Sequence, residues 1–243
     1  MTTTSVVAES RVLAALDSVR DPELDEPITS LGFVSACTVS DDGDVQVHLR
    51  LPTYFCAPNF AYLMVADAYD AVAALPGVGA VRVLLDDHFA SEAINGGVAS
   101  QTGFARSFDG EAVGELDSLR ADFLRKAVMA GTDVACRPLV TQGVQPAALA
   151  ELTLGQVPAS PGLERLRQRR VQLGLPAGDD ARLLIEPATG APIGEAGVPL
   201  HLRKARTTRV SLEANGSICR GMLRQRYESK GLRETEGHSE EDR

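Results

Sequence analysis

The stretch Leu49-Arg50-Leu51-Pro52-Thr53-Tyr54-Phe55-Cys56-Ala57-Pro58-Asn59-Phe60-Ala61 is where the apolar spacing of this chain changes period. Upstream, Val45, Val47, Leu49 and Leu51 alternate with Gln46, His48 and Arg50, the pattern of a strand with one buried face. On this reading His48 faces solvent. Downstream, Phe60, Leu63, Met64, Ala68, Ala71, Val72 and Leu75 recur at helical spacing until Pro76-Gly77 ends the run. Pro58 suits the first helical position, where its missing N–H costs nothing. Cys56 then lies about two residues ahead of the first turn, near unpartnered N–H groups and the positive end of the helix dipole, which push a thiol toward thiolate. Thiolate is the form that attacks and the form that binds soft metals. The competing reading is a packing cysteine, because free cysteine is among the most buried residue types.

Working outward, Ser10 can cap a helix carrying Val12, Leu13, Leu16 and Val19, and Asp21-Pro22 stops it. An acidic segment, Asp21 to Ile28, leads into Leu31-Gly32-Phe33-Val34, which opens a strand running to about Val39. Asp41-Asp42-Gly43-Asp44 supplies turn chemistry for a hairpin, Cys37 falls in its first strand as a core residue, and Val78 to Leu85 reads as a third strand. The order αββαβ predicts a small α/β sandwich over residues 1–95. The small-residue run Asn95 to Gly103 predicts a linker over 96–110. A mixed α+β second domain is expected over 111–227. Its helices are read at Glu111–Met129 (with Val113 and Leu116 on the apolar face), from Pro146, and from Pro161 until Gly174 closes the last. Its strands are read at Arg182–Ile185 and Thr207–Leu212, and Asn215-Gly216 reads as a hairpin turn. A charged tail over 228–243 is expected to be disordered.

Composition bounds the function. Of 243 residues 44% are hydrophobic, enough for a core, while 5% are aromatic and none is tryptophan. The net charge of -9 argues against nucleic acid or an anionic membrane as partner. That charge is uneven: residues 1–95 hold 4 Lys and Arg against 14 Asp and Glu, and the remainder 20 against 19. No apolar stretch is long enough to span a membrane, and the start lacks the basic and apolar regions of a secretory signal. Cys37, Cys56, Cys136 and Cys219 show no metal-finger spacing and read as cytoplasmic thiols.

Several motifs together resemble one family. Asp21-Pro22-Glu23-Leu24, Leu31-Gly32-Phe33-Val34, Leu51-Pro52-Thr53 leading to Cys56, and Ala74-Leu75-Pro76-Gly77-Val78 resemble the SufT/PaaD-type iron-sulfur assembly family, the domain of unknown function fifty-nine. The resemblance covers about residues 9–95. It implies the same small α/β sandwich and a role in maturing iron-sulfur proteins, with the PaaD branch serving a ring-hydroxylating monooxygenase system that contains a di-iron component. Cys56 falls on the family's reactive cysteine and Glu23 on the acidic residue of its Asp-Pro-Glu motif. Two departures stand out: Ala57 separates Cys56 from Pro58, and Asp86 to Glu92, with His88 inside, replaces an aromatic-centred segment.

The resemblance implies a metal-centre assembly factor rather than an enzyme. Its cargo is iron or a transient iron-sulfur cluster held through Cys56, and its client apoprotein is a di-iron or iron-sulfur monooxygenase component. A lone thiolate suits a carrier, since a closed four-ligand cage retains its metal. Glu23 and His88 are the candidate co-ligands, weighed against ordinary solvated loop residues. Thr53 either caps the turn or donates to the thiolate. Arg165, Arg169 and Arg170 form a basic helix face expected to bind the client. A homodimer is left open. The alternative is a folding or docking partner that binds no metal, and a thiol enzyme ranks last because no adjacent base is evident beyond His88.

Overall fold

The structure is a computed structural model that describes residues 7–108 and 116–237. The chain is mixed α/β, as expected. The described residues fall into two compact units: the first takes everything before Asp117 together with the chain from Asn215 onward, and the second runs Asp117–Ala214.

In the first unit, helix α1 (Glu9–Leu16) precedes strands β1 (Val34–Val39) and β2 (Val45–Arg50), helix α2 (Pro58–Ala73) and strand β3 (Val81–Asp86). Antiparallel β1–β2 pairs Val39 with Val45, and parallel β2–β3 pairs Val45 with Val81 through Arg50 with Asp86. The parallel pair needs a crossover, and α2 supplies it. Val45, Val47 and Leu49 of β2 are buried, as are Ala61, Met64, Val65, Ala68 and Val72 of α2. Each such large side chain contributes about 1.5–3 kcal/mol on full burial. Three differences are local. Ala8, not Ser10, precedes the first helical residue, the first strand begins at Val34, and His48 is half-buried with its Nδ1 3.0 Å from Asp86 Oδ2.

The expected linker is also different. Asn95-Gly96-Gly97 lies inside helix α3 (Ser91–Ala99), and a helical turn, α4, follows at Phe104–Ser107. Gly97 is there for close approach, because a Cβ would meet Ser107 and Tyr62. Val113 lies outside the described residues, as does the expected tail beyond Gly237, whereas residues 228–237 of that tail are helical rather than disordered.

The second unit is built on α5 (Asp117–Thr141), α6 (Pro146–Glu151), α7 (Pro161–Gln172) and the start of α8 (Val198–Gly237). Its core gathers Val128, Ala135, Leu139, Leu149, Leu154, Leu163, Leu166, Leu183 and Leu184. Gly162 lets α7 approach α5, since a Cβ there would sit 2.6 Å from Val134 Cγ1. The two segments expected as strands are corrected. Around Arg182 to Ile185 there are only isolated bridges, Thr153 with Arg182 and Ile185 with Pro192, and Thr207–Leu212 is part of α8. Asn215-Gly216 is likewise helical. Gly216 is explained by packing, because a Cβ there would lie 2.5 Å from Glu26 Oε1.

One pH dependence follows from the packing. His88 and His201 are buried, and burial holds both imidazoles below their ordinary pKa. Among the described residues, His201 Nε2 has no hydrogen-bond partner. A depressed pKa gives stability that is present above the unfolded histidine value of about 6.5 and lost as pH falls. The histidines are expected to lower the urea midpoint between pH 7.5 and 5, against an opposite contribution from Asp21, whose carboxyl is raised to about 6. The midpoint should fall less in His201→Leu; equal slopes in the two proteins would remove His201 as a cause.

Candidate functional site

The turn between β2 and α2 presents Cys56. Pro58 occupies the first helical position, and Cys56 lies two residues before it, half-buried. Its sulfur has a close hydroxyl, Thr53 Oγ1, at 3.3 Å. Around it stand three exposed rings: Tyr54, Phe55 and Phe89 are 45%, 76% and 49% exposed, with centroids 4.9–6.3 Å apart. Water-exposed aromatic clusters of this kind carry an unfavourable hydration that a partner surface relieves.

His88 holds this turn. Its Nε2 lies 2.7 Å from the carbonyl oxygen of Cys56, and its Nδ1 accepts from the Ala90 N–H at 3.1 Å. An N–H can only donate and a carbonyl can only accept, so the proton is assigned to Nε2 and the ring is neutral. Burial is the main cause of its lowered pKa, and the Arg226 charge adds to it. His88 therefore meets the Cys56 backbone rather than its sulfur.

Arg226, from α8, fastens the same turn from the other side. Its guanidinium donates to the Leu51 carbonyl at 3.0 Å and the Asp87 carbonyl at 2.5 Å, and pairs with Asp87 Oδ2 at 2.9 Å. Arg50 stacks over the Tyr227 ring, 4.5 Å from its centroid. No local sequence signal marks this clamp, because the residues that make it lie late in α8, far from Cys56 in the chain.

The Asp-Pro-Glu-Leu motif has a physical role. Asp21 Oδ1 accepts from the Glu23 and Leu24 N–H groups at 2.9 and 2.8 Å, which shapes the acidic loop. Burial raises the Asp21 carboxyl to about 6 despite those two donors, and the neighbouring Glu23 and Glu26 charges add to the rise. Glu23 is half-buried beside it. Among the described residues no three of His, Cys, Asp and Glu converge to hold a metal, so Cys56, Glu23 and His88 do not form a closed cage.

The basic face expected on α7 is largely internal. Arg170 is fully buried and donates to the carbonyls of Arg182 at 2.8 Å and Leu183 at 2.6 Å. Arg169 is buried and donates to Gln172 Oε1 at 2.8 Å, leaving Arg165 exposed. An exposed basic groove lies elsewhere in the second unit, a cavity of about 480 Å³ lined by Arg125, Lys126, Arg203, Lys204 and the apolar Met129 and Pro187.

The model of a family described as iron-sulfur cluster assembly protein matches residues 9–84. An uncharacterised protein of Methanocaldococcus jannaschii is 32% identical over 90 residues, which are 37% of this chain and 93% of that protein. The chain belongs to the iron-sulfur cluster assembly protein family. Proteins named iron-sulfur cluster carrier protein are also similar: that of Mycobacterium tuberculosis (strain ATCC 25618 / H37Rv) is 40% identical over 75 residues, 31% of this chain and 19% of its own length. That of Mycobacterium leprae is 40% identical over 78 residues, 32% of this chain and 20% of its own length. The chain thus spans about a fifth of these mycobacterial relatives. No solved structure matches it. The family match contains the turn with Cys56 and stops before His88 and the whole of α8. Among the described residues, no helix is long and apolar enough to cross a membrane.

Proposed function

We propose that this assembly-family chain is a non-enzymatic cytoplasmic carrier that accepts iron, or a transient iron-sulfur unit, on Cys56 and passes it to a client apoprotein. The observation that carries this reading is a half-buried thiol on a turn held by His88 and by Arg226, beside the exposed rings of Tyr54, Phe55 and Phe89. A carrier needs a sulfur that can be reached and a surface that the recipient can cover. A site with few protein ligands also leaves coordination positions for the incoming client thiolates. By analogy with the PaaD branch, the client is a di-iron or iron-sulfur component of a monooxygenase system. The groove lined by Arg125, Lys126, Arg203 and Lys204 replaces the α7 face as the candidate client contact, since Lys126, Arg203 and Lys204 are exposed.

The test is anaerobic loading of the full chain with Fe(II), with and without sulfide. Wild type is expected to retain iron through desalting and, with sulfide, to gain visible absorption, whereas Cys56→Ser retains little of either. Equal iron in the two proteins would remove Cys56 from the mechanism. No iron in either would favour the alternative, a metal-free docking partner, for which the exposed rings are the supporting observation.

A further inference from the structure

Helix α8 brings a second thiol to the same region. Gly216, Cys219, Leu223 and Arg226 succeed one another at intervals of three, four and three residues, so they share one face of the helix. That face is fixed along its length. Gly216 lies against Glu26, and Arg220 forms an ion pair with the same carboxylate. Leu223 is buried against Gly32, where a Cβ would lie 3.3 Å from its Cδ2. Arg226 donates to the Leu51 carbonyl at the start of the Cys56 turn. Cys219 therefore sits between the acidic loop at one end and the Cys56 turn at the other. Both thiols are half-buried and pack against one apolar cluster.

Burial pushes the Cys219 thiol up to about 11, with the neighbouring Asp21, Cys56 and Glu23 groups adding to the rise and Arg220 opposing it. Cys219 also lies outside the segment that defines the family, so the second thiol belongs to this chain's own addition.

We propose that Cys56 and Cys219 form a two-thiol site, supplied by the β2–α2 turn and by α8, that takes a thiophilic cation or the edge of an iron-sulfur unit. The inference rests on the carrier reading and deepens it. On binding, two S–H protons pass to solvent as two metal–sulfur bonds form, with no change of oxidation state. The remaining coordination positions stay open to sulfide or to a client thiolate. Two sulfurs hold cargo more firmly than one without closing the cage, which is the balance a carrier requires.

The probe is Cd²⁺ titrated into the reduced full chain under argon, read by the ultraviolet sulfur-to-cadmium absorption. Wild type is expected to bind one ion with the absorption of two thiolates. Cys56→Ser and Cys219→Ala are each expected to lose about half of that absorption and roughly tenfold or more in affinity. The double variant should lose the remaining absorption and bind more weakly than either single one. Leu223→Ala, one turn away, is the packing control and Cys37→Ser the thiol control; both should bind as wild type does. Unchanged affinity and absorption in Cys219→Ala would overturn the pair, as would an equal loss in Leu223→Ala. The carrier reading fails separately, if Cd²⁺ binds through both sulfurs while Fe(II), with or without sulfide, is not retained.

Discussion

Replacing His88 by leucine is expected to lower the stability of the first unit by about 2–4 kcal/mol and to speed the reaction of Cys56 with a thiol reagent. The imidazole is 3% exposed and makes two bonds to main chain, one to the Cys56 carbonyl and one from the Ala90 N–H. Leucine fills much of the volume but satisfies neither group. Each buried polar group left unpaired costs about 1–3 kcal/mol, and water that enters to satisfy the carbonyl also reaches the thiol. The measurements are the urea midpoint and the rate of Cys56 alkylation, followed by mass spectrometry of the peptide that contains it. His88→Gln, whose amide can both donate and accept, should restore part of each property. A His88→Leu protein with wild-type stability and an unchanged alkylation rate would show that the histidine does not position the turn. A fall in stability with no change in alkylation would leave it a packing residue only.

His88 also illustrates what a sequence exposes and what it conceals. The residues that build the β2–α2–β3 crossover were legible because their signals are local: alternation through Leu51, Pro58 at a helix start, and Pro76-Gly77 at its end. Cys56 was placed in the correct turn by the same signals. Its surroundings were not, because they depend on contacts across long separations. His88 was read as a candidate ligand from its residue type, yet the fold directs its ring to a carbonyl. Arg226 reaches the turn from α8, more than 160 residues further along, and no periodicity in that helix announces it. Its charged residues are spread round the helix, so the buried stripe through Leu223 is narrow. Asn215-Gly216 gave a strong turn signal that was overridden, because the missing side chain serves the approach of Glu26 rather than a bend.

Arg170 shows the same limit in the second unit and leads to the second large effect. Read by residue type, an arginine on a basic helix belongs to the solvent. In the fold it is fully buried, its guanidinium joins the end of α7 to the segment Arg182–Leu183, and burial lowers its pKa to about 10. The cation survives there because two carbonyl oxygens face its fork, at 2.8 and 2.6 Å, with the Pro176 carbonyl at 3.4 Å. Arg170→Met removes the charge and its desolvation cost, which is stabilising by itself. It also leaves at least two buried carbonyls without donors, at about 1–3 kcal/mol each. The second effect is expected to prevail, because residues 182–183 are held by an isolated bridge and the Arg182–Glu151 ion pair rather than by a sheet. A net loss of about 3 kcal/mol is the expected outcome, with hydrogen-exchange protection falling across α7 and the Arg182–Ile185 segment. Arg170→Lys should recover little, since one ammonium cannot reproduce the planar fork. If Arg170→Met instead matched or exceeded wild-type protection, the desolvation of the charge would outweigh the two hydrogen bonds, and the arginine would be retained for a reason other than stability.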